Sequence, residues 1–240
     1  MKRYLVLPLL ALSLQAQTFE TKCKGKPFCE VRDSKIPATG QLLVDAGNNG
    51  SISVKGYNGN TLLVRARVES EKKDVINKVV INTTGTKISA TGPSRDWDVA
   101  FEIFVPRKIG LELKATNGGI AVSGVSGNMN LRSVNGGLTI ADADGSIKGT
   151  TSNGGITVRF NNTKLDGSGI DLSTDNGGIN LKVPAKFSAQ LDASTINGRV
   201  DISLPGASNG NGRELKTTLG AGGPVVKLRT TNGGVTVGQL

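Results

Sequence analysis

Carboxylates are the side chains with which this chain could do acid–base chemistry, because its 240 residues contain no histidine. The absence of histidine removes the commonest general base and the serine–histidine hydrolases. A polysaccharide-acting enzyme would need two carboxylates close together. Asp171 and Asp192 are the candidate pair, since both stand five residues before a repeated asparagine and so share one outward column. A solvated pair on a sheet surface is the simpler interpretation, and we expect no enzyme and no cofactor.

One short segment could bind calcium. Asp166-Gly-Ser-Gly-Ile-Asp171-Leu172 is similar to the glycine-rich nonapeptide of calcium-binding β-rolls. Such rolls need consecutive copies of the motif, because neighbouring turns together supply the six or more oxygen ligands of the ion. The segment occurs once, so we expect no metal site.

The first residues predict export. Met1-Lys2-Arg3 precedes an apolar run from Tyr4 to Leu14, and the chain then turns small and polar. This pattern is typical of a secretory signal peptide, here residues 1–16, with cleavage after Ala16. The run is too short for a membrane-spanning helix, which needs ~20 apolar residues, and no later stretch reaches that length. We expect the mature chain in the periplasm, at the cell surface or in the medium.

The two cysteines, Cys23 and Cys29, lie in an N-terminal segment, residues 17–40. An exported chain meets an oxidising compartment, which favours a disulfide between them. A redox or metal pair is the alternative, but the spacing is not Cys-x-x-Cys and no histidine could complete a zinc site. We therefore expect a structural Cys23–Cys29 disulfide.

The charge of the chain indicates the kind of partner it could meet. Its 29 basic and 19 acidic residues give +10, and removal of Lys2 and Arg3 with the signal peptide leaves 27 − 19 = +8. A basic exported protein can bind acidic polymers, so we expect acidic envelope or host glycans, or envelope proteins, as partners. The alternative is that the charge only keeps a β-rich surface in solution. Nucleic acid is not expected, because no aromatic platform accompanies the scattered basic residues.

One outward column of residues could carry such binding. The residues three before the repeated asparagine are basic at both ends of the series, at Lys114, Arg132 and Arg229, and mainly hydroxylic between. They could follow an acidic glycan, or they could be ordinary sheet-exposed side chains. The excursion at 205–216 is a second candidate site, because loops on rigid scaffolds often carry recognition. Its Gly, Asn and Ser content is also typical of a flexible surface loop without a binding role.

These positions are defined by a repeat that fills the second half of the chain, with the form Asn-Gly-Gly-Ile-x-Val. The repeated asparagines are 18, 18, 23, 21 and 35 residues apart, which is typical of stacked structural repeats. Small or apolar residues stand two and four before each asparagine, and apolar residues three and five after it. Strands with one inward face therefore flank each turn. The anchors are Asn117, Asn135, Asn153, Asn176, Asn197 and Asn232.

The repeat predicts an all-β, single-domain β-solenoid, a β-helix or β-roll with parallel rungs. Each new rung is expected to pair in parallel with the one before it, and equivalent asparagine amides can hydrogen-bond in a ladder at the turns. A ligand platform made by the same asparagines is the functional alternative. Because Asn-Gly is also a hairpin signal, a sandwich of antiparallel hairpins is the alternative architecture.

The repeat region, residues 41–240, is irregular over 41–105 and regular over 106–240. Its first part contains strand patterns at 42–54 and 61–68, and 69–78 then breaks the alternation. This stretch predicts one short helix near 70–78 with Ser70 as its N-cap. Because a solenoid must protect its end rungs from edge-to-edge pairing, we expect this helix to be a lid.

Three co-linear motifs carry a resemblance to a known family. They are Gly50-Ser-Ile-Ser-Val with Gly56-Tyr-Asn-Gly, then Val105-Pro-Arg-Lys-Ile-Gly-Leu-Glu-Leu, then the serial Asn-Gly-Gly-Ile-x-Val turns. Over residues 40–240 the chain resembles the bacterial putative-adhesin family of β-strand-repeat proteins. The resemblance implies a β-helix or β-roll fold and an envelope or surface location, and it implies no catalytic residues.

The sequence therefore predicts an exported, non-enzymatic β-solenoid that acts as an adhesin or as a cell-envelope surface or scaffold module. The alternatives are a polysaccharide-acting enzyme, with an acidic glycan as substrate, and a partner in envelope-stress signalling on the same scaffold. Fold alone does not decide between these functions.

Overall fold

The chain folds almost entirely as β-strands. A computed structural model describes residues 25–93, 96–205 and 212–240. The predicted signal peptide and Cys23 lie outside these ranges, so export and the disulfide remain predictions. The elements are β1 Phe28–Pro37, β2 Gln41–Asp45, β3 Gly50–Tyr57, β4 Thr61–Ser70, α1 Lys73–Ile76, β5 Val80–Thr84, β6 Lys87–Thr91, β7 Trp97–Pro106, β8 Gly110–Asn117, β9 Ile120–Ser123, β10 Met129–Asn135, β11 Leu138–Ala141, β12 Ile147–Asn153, β13 Ile156–Arg159, β14 Gly169–Asn176, β15 Ile179–Val183, β16 Ala189–Asn197, β17 Val200–Ser203, β18 Glu214–Leu219, β19 Val225–Asn232 and β20 Val235–Gln239.

The strands form two ten-stranded, mostly parallel sheets. Sheet I has the order β1-β4-β7-β3-β9-β11-β13-β15-β20-β17, and sheet II has the order β18-β16-β19-β14-β12-β10-β8-β2-β6-β5. The prediction of an all-β chain with parallel strand neighbours is confirmed. The alternative of a hairpin sandwich is wrong, because antiparallel strand pairs among the described residues are confined to those that involve β1, β4, β5 or β18.

One strand of sheet II, an Asn-Gly-Gly corner and one strand of sheet I make a repeating unit, here called a rung. Neighbouring rungs are in register, so that Asn135 pairs with Asn117 on one side and with Asn153 on the other. Ile120 and Ile156, which follow two of the corners, are 1% and 0% exposed. Alternate residues of both sheets point inward and join a single hydrophobic cluster. The inward aliphatic columns therefore fix the register.

At the C-terminal end, the order of the rungs in space differs from their order in the chain. The pair β19–β20 lies between β14–β15 and β16–β17, with parallel pairing on both sides. Asn232 is therefore beside both Asn176 and Asn197. The expectation that each rung pairs with the one before it is wrong here. The reason is the path of the chain. Strand β18 runs antiparallel along β16, and residues 220–224 then lead the chain back to the space between β14–β15 and β16–β17.

The same departure from chain order occurs at the N-terminal end. The pair β2–β3 lies between β6–β7 and β8–β9, so residues 41–57 complete a rung although their sequence is less regular. Outside it, β4 pairs antiparallel with β7 and β1 pairs antiparallel with β4, while β5 covers β6. The sequence analysis did not predict β1. Antiparallel strands therefore cover this end of the stack in both sheets.

Helix α1 is much shorter than the predicted lid. Its residues Val75 and Ile76, together with Val79 just beyond it, are buried in the hydrophobic core. Arg32 of β1 donates hydrogen bonds to the carbonyl oxygens of Ile76, at 3.0 Å, and of Val79. Within the part of the chain that the structure describes, α1 is the only helix, and no helix there is long and apolar enough to cross a membrane.

Ser70 is not the N-cap of this helix, which corrects the expectation from the sequence. Ser70 is the last residue of β4, and its hydroxyl donates to the carbonyl oxygen of Asp96 at 2.9 Å. The same hydroxyl accepts a hydrogen bond from the N–H of Lys72 at 3.1 Å. Lys72 itself precedes the helix and makes no side-chain cap. The buried hydroxyl of Ser70 therefore holds the turn before the helix instead of starting it.

Candidate binding face

The Asn-Gly-Gly corners form one continuous edge of the stack. Each asparagine donates a hydrogen bond from Nδ2 to Oδ1 of the asparagine in the next rung, at 2.7–3.1 Å. All six bonds run in one direction, so the amide dipoles reinforce one another. The ladder also includes Asn49, which lies in the first part of the repeat region and is not among the predicted anchors. In spatial order its members are Asn197, Asn232, Asn176, Asn153, Asn135, Asn117 and Asn49.

A second ladder of hydrogen bonds lies inside the corners. The residue two before the asparagine is buried, and its hydroxyl donates to the carbonyl oxygen of the first corner glycine of the neighbouring rung, at 2.7–3.0 Å. Each of these hydroxyl-bearing residues is at most 6% exposed. A buried hydroxyl needs such a partner. The residues are Ser133, Thr151, Thr174, Thr195 and Thr230.

The first glycine of each corner has no room for a side chain. A Cβ on Gly154 would lie 2.4 Å from the carbonyl oxygen of Gly136, whereas a Cβ on the second glycine, Gly155, would lie 3.4 Å from that of Gly178. In the Asn197 corner, which belongs to the outermost rung, Arg199 stands in place of the second glycine. Among the described residues, no further corner stacks outside this one. These contacts explain the Asn-Gly-Gly column by packing and hydrogen bonding.

The two candidate catalytic carboxylates are not neighbours. Asp171 and Asp192 share one outward column of sheet II, but Lys227 of β19 lies between them. Two strand spacings put their Cα atoms about 9.5 Å apart. Oδ1 of Asp171 lies 3.6 Å from Nη1 of Arg229. The interpretation of Asp171 and Asp192 as adjacent carboxylates is wrong, because the inserted rung places a cation between them.

Three carboxyl groups have pKa values that nearby cations shift downward. The hydrogen bonds from Arg65 hold the pKa of Asp33 below its ordinary value, and the hydrogen bonds from Arg32 and Lys216 do the same for Glu30 and Glu214. A general acid near neutral pH needs the opposite shift. These three groups are therefore suited to ion pairing and not to proton donation.

The calcium-like segment does not gather its aspartates. The backbone N–H of Asp166 donates to Oδ1 of Asp144 at 3.0 Å in the corner that returns from sheet I to sheet II. Asp171 instead lies in β14, on the outer face of sheet II. Within residues 25–93, 96–205 and 212–240, no three His, Cys, Asp or Glu side chains lie close enough to hold a metal ion.

The outer face of sheet II carries a groove of about 590 Å³ that crosses β8, β10, β12, β14 and β19. The outward column five before the asparagine lines it. Oδ1 of Asn130 is buried and has no hydrogen-bond partner among the described residues. A buried acceptor of this kind requires a donor, such as a buried water molecule. In spatial order the column reads Glu112, Asn130, Lys148, Asp171 and Lys227.

Two members of the predicted basic column stand beside this groove. Lys114 and Arg132 are exposed and are direct cross-strand neighbours on β8 and β10. Lys148 of the groove adds a cation on the next strand, β12. Lys148 is not among the predicted site residues, although its place five before Asn153 puts it on the same face.

The third predicted member, Arg229, lies apart from the other two. Thr150 and Ser173 occupy the column between Arg132 and Arg229, so three strand spacings separate the two arginines. Nη1 of Arg229 also lies within 3.6 Å of a carboxylate oxygen of Asp171. Nζ of Lys114 likewise lies 4.0 Å from Oδ2 of Asp45 on β2. The structure therefore divides the predicted column into a basic group at Lys114 and Arg132 and a separate arginine, with one carboxylate beside Lys114 and one beside Arg229.

The excursion at 205–216, the other candidate site, is only partly described. Residues 206–211 lie outside the described ranges. Its last three residues, 214–216, begin β18, which pairs antiparallel with β16 at the edge of sheet II. This part of the excursion serves the fold, because it covers the outermost rung on that sheet.

Residues 41–238 match the family Toastrack DUF4097. The chain belongs to this family. The match spans the whole stack of rungs, from β2 to β20, and the resemblance to bacterial putative adhesins that the motifs indicated is confirmed. A search of the curated proteins finds no match to this Toastrack chain.

Several solved structures are similar to this chain at low sequence identity. A putative cell adhesion protein from Clostridium sporogenes has a TM-score of 0.51 and 10% identity, covering 88% of this chain and 100% of its own. A putative adhesin from Bacteroides fragilis has a TM-score of 0.46 and 11% identity, covering 90% and 99%. A putative lipid binding protein from Parabacteroides distasonis has a TM-score of 0.33 and 9% identity, covering 87% and 96%. At these identities the first similarity bears on the fold alone.

Proposed function

We propose that this Toastrack chain is an exported, non-enzymatic β-solenoid that acts as an adhesin or cell-envelope surface module. Residues 1–16 are its signal peptide, and a Cys23–Cys29 disulfide closes the segment before the repeats. The ligand is an acidic glycan that binds across sheet II. The observation that carries this proposal is the basic group beside the groove, formed by Lys114, Arg132 and Lys148 on three successive strands.

The charge of this part of the face supports an anionic ligand. On β8, β10 and β12, the columns three and five before the asparagine hold these three cations, and Glu112 is the one carboxylate in those positions. Lys114 and Arg132 are direct cross-strand partners on strands about 4.8 Å apart, and Lys148 lies diagonally from Arg132 in the neighbouring outward column. A polymer with repeated acidic groups could contact all three cations at once.

The rigidity of the scaffold and the separation of its carboxylates support binding over catalysis. The amide ladder at the corners holds successive strands in one register, so the ligand groups meet a preformed array. Lys227 lies between Asp171 and Asp192, and a cation at this position favours ionised, ion-paired carboxylates over the protonated general acid that a polysaccharide-acting enzyme needs. The name of the Clostridium sporogenes protein agrees with an adhesive role.

The test measures binding of residues 17–240 to fractionated envelope polymers and to acidic and neutral glycans. We expect binding to acidic glycans that weakens as salt is added. Arg132→Ala should weaken it about two- to fivefold, because an exposed ion pair contributes about 0.5–1 kcal/mol. Arg199→Ala is the matched control, since it removes an exposed arginine of the Asn197 corner, away from the groove.

Three outcomes would count against the proposal. They are no binding to any fraction, equal loss of binding in Arg132→Ala and Arg199→Ala, and turnover of an acidic glycan that Asp171→Asn abolishes. The last result would establish the polysaccharide-acting enzyme instead.

A further inference from the structure

We infer that the acidic glycan runs along the stack, at right angles to the strands of sheet II, and carries one acidic group on every second sugar. This rests on the proposed function, to which it adds the direction of the ligand and the spacing of its charges. The observation behind it is a channel whose charges alternate from strand to strand.

Two grooves on the outer face of sheet II join into this channel. The groove of about 590 Å³ reaches Val225 and Lys227 of β19. A second groove of about 370 Å³ includes the same Val225 and crosses β16 and β18. Because adjacent strands are about 4.8 Å apart, the channel extends over six spacings from β8 to β18, about 29 Å. A channel of this length on the outside of a sheet fits a linear polymer better than a small molecule, which binds in a cleft or cavity.

The charged side of the channel alternates in sign. From β12 to β18 each strand contributes one residue, and neighbouring residues are direct cross-strand partners. The cations are therefore two strand spacings apart, about 9.5 Å, with a carboxylate midway between them. In spatial order the series is Lys148, Asp171, Lys227, Asp192 and Lys216.

Two of these cations are available to a ligand. Within the part of the chain that the structure describes, no carboxylate oxygen lies within 4.0 Å of Nζ of Lys148 or of Lys227. By contrast, Lys216 pairs with Glu214 on its own strand at 2.9 Å. The channel thus presents two unpaired positive charges on β12 and β19, separated by the carboxylate of Asp171 on β14.

Beside the charged series, the channel is lined by uncharged polar groups. Their amides and hydroxyls can hydrogen-bond to the hydroxyls of neutral sugars. The side chain of Val225, which is 47% exposed, adds an apolar contact in the middle of the channel. The uncharged polar residues are Asn128, Ser146, Ser168, Gln190 and Thr218.

The spacing of the two cations favours a disaccharide repeat. A sugar of an extended glycan chain advances by nearly one strand spacing, so every second sugar meets the next cation. An acidic group on every sugar would also bring one close to Asp171, where like charges repel. An extended peptide fits less well, because its side chains on one face recur about every 6.7 Å, out of step with the cations. The ligand therefore alternates an acidic and a neutral sugar.

Binding of two uronic-acid oligosaccharides of equal length tests this spacing. Hyaluronan carries a carboxylate on every second sugar, whereas polyglucuronate carries one on every sugar. We expect residues 17–240 to bind hyaluronan at least about twofold more tightly, because one exposed charge contact changes affinity about two- to fivefold. General attraction to a basic protein would give the opposite order, since polyglucuronate has the higher charge.

Asp171→Asn is the diagnostic variant. It removes a repelling carboxylate, so the ratio of the hyaluronan affinity to the polyglucuronate affinity should fall about two- to fivefold. Asp192→Asn should lower the ratio in the same way, which guards against a folding defect in one variant. Asp201→Asn is the matched control, since it neutralises an exposed carboxylate on β17 of sheet I and should leave the ratio unchanged.

The outcomes separate this inference from the proposed function. If polyglucuronate binds as tightly as hyaluronan or more tightly, the charge spacing is wrong and the proposed function stands. If hyaluronan is preferred but neither Asp171→Asn nor Asp192→Asn changes the ratio, the preference does not come from this channel and the inference is wrong. If neither oligosaccharide binds while another acidic glycan does, the inference alone fails. If no acidic glycan binds, the proposed function fails with it.

Discussion

Gly154 and Gly155 are adjacent in the chain but differ sharply in the space around them. A Cβ on Gly154 would lie 2.4 Å from the carbonyl oxygen of Gly136, which cannot move without disturbing the stacked corners, whereas a Cβ on Gly155 would be 3.4 Å from its nearest neighbour. We predict that Gly154→Ala lowers the free energy of unfolding by about 3 kcal/mol and Gly155→Ala by less than about 1 kcal/mol. Urea denaturation of the two variants measures the difference. Equal losses would mean that the corners are not stacked as described.

The amide ladder gives a second pair of matched variants. Asn153 donates to Asn135 and accepts from Asn176, while Asn197 at the end of the ladder donates to Asn232. A net hydrogen bond stabilises by about 1 kcal/mol, so Asn153→Ala should cost about 2 kcal/mol and Asn197→Ala about half as much. Thermal or urea unfolding measures both. A larger cost at Asn197 than at Asn153 would be inconsistent with a continuous ladder.

Some of these residue-level roles were predictable and others were not. The small residues two before each asparagine were recognisable as an inward column, but the carbonyl that each hydroxyl contacts belongs to a neighbouring rung, as for Thr230 and Gly177. Arg199 in place of the second glycine was the one local sign that the Asn197 corner is outermost. An arginine fits this position only where no further corner stacks outside it. Which corner is outermost is a property of the assembled fold.

Strand β1 is held on β4 by an ion pair that should make its stability depend on pH. Nε and Nη2 of Arg65 donate to Oδ1 and Oδ2 of Asp33 at 2.7 and 2.5 Å. These hydrogen bonds lower the pKa of Asp33 from its ordinary value of 3.8. A lowered folded-state pKa means that the stabilisation is present above pH 3.8 and is lost as the pH falls through the folded-state value.

We therefore predict that Asp33→Asn destabilises the protein at pH 7 and that its difference from the wild type shrinks below pH 3.8. The side chain of Asp33 is 53% exposed, so solvent screening limits the loss to about 1 kcal/mol. Urea denaturation of both proteins at pH 7 and at acidic pH measures it. A difference that grows on acidification would have the wrong sign for this ion pair.

Strand β1, which was not predicted, and helix α1, which was predicted too long, are the elements with weak periodicity. Strand β1 is half-exposed along its length and nowhere fully buried, so its apolar residues do not alternate as those of an inner strand do. Helix α1 has four residues, too few to show a helical period. By contrast, strands β8 to β15 have regular inward columns, and their existence followed directly from the repeat.

The order of the rungs is a property of the whole molecule that the repeat could not reveal. Every regular rung offers an asparagine, a first corner glycine and the same aliphatic columns, so the Asn197 rung would fit against the Asn176 rung as well as against the Asn232 rung. Besides Arg199 in the Asn197 corner, the spacing of 35 residues before Asn232 was the only hint. The choice is made by β18 and by residues 220–224, which return the chain to the space between β14–β15 and β16–β17.

This order also changes the chemistry of the binding face. The sequence placed Asp171 and Asp192 correctly in one column, but the inserted β19 brings Lys227 between them and Arg229 close to Asp171. The predicted acidic pair thereby becomes an alternating series of charges. The cations Lys114, Arg132 and Lys148 lie on rungs that follow chain order, and so their proximity could be inferred from sequence spacing alone.

Disulfide trapping within one chain tests the central claim, the position of β19–β20, most directly. Thr236 is the cross-strand partner of both Asn180 and Asp201. Adjacent strands are about 4.8 Å apart, within the range of a disulfide, and two spacings exceed its limit of about 7 Å. We predict that cysteines introduced at 180 and 236, or at 236 and 201, bond rapidly on oxidation, while those at 180 and 201 do not. A rapid bond between 180 and 201 would show that rungs stack in chain order and would contradict the account.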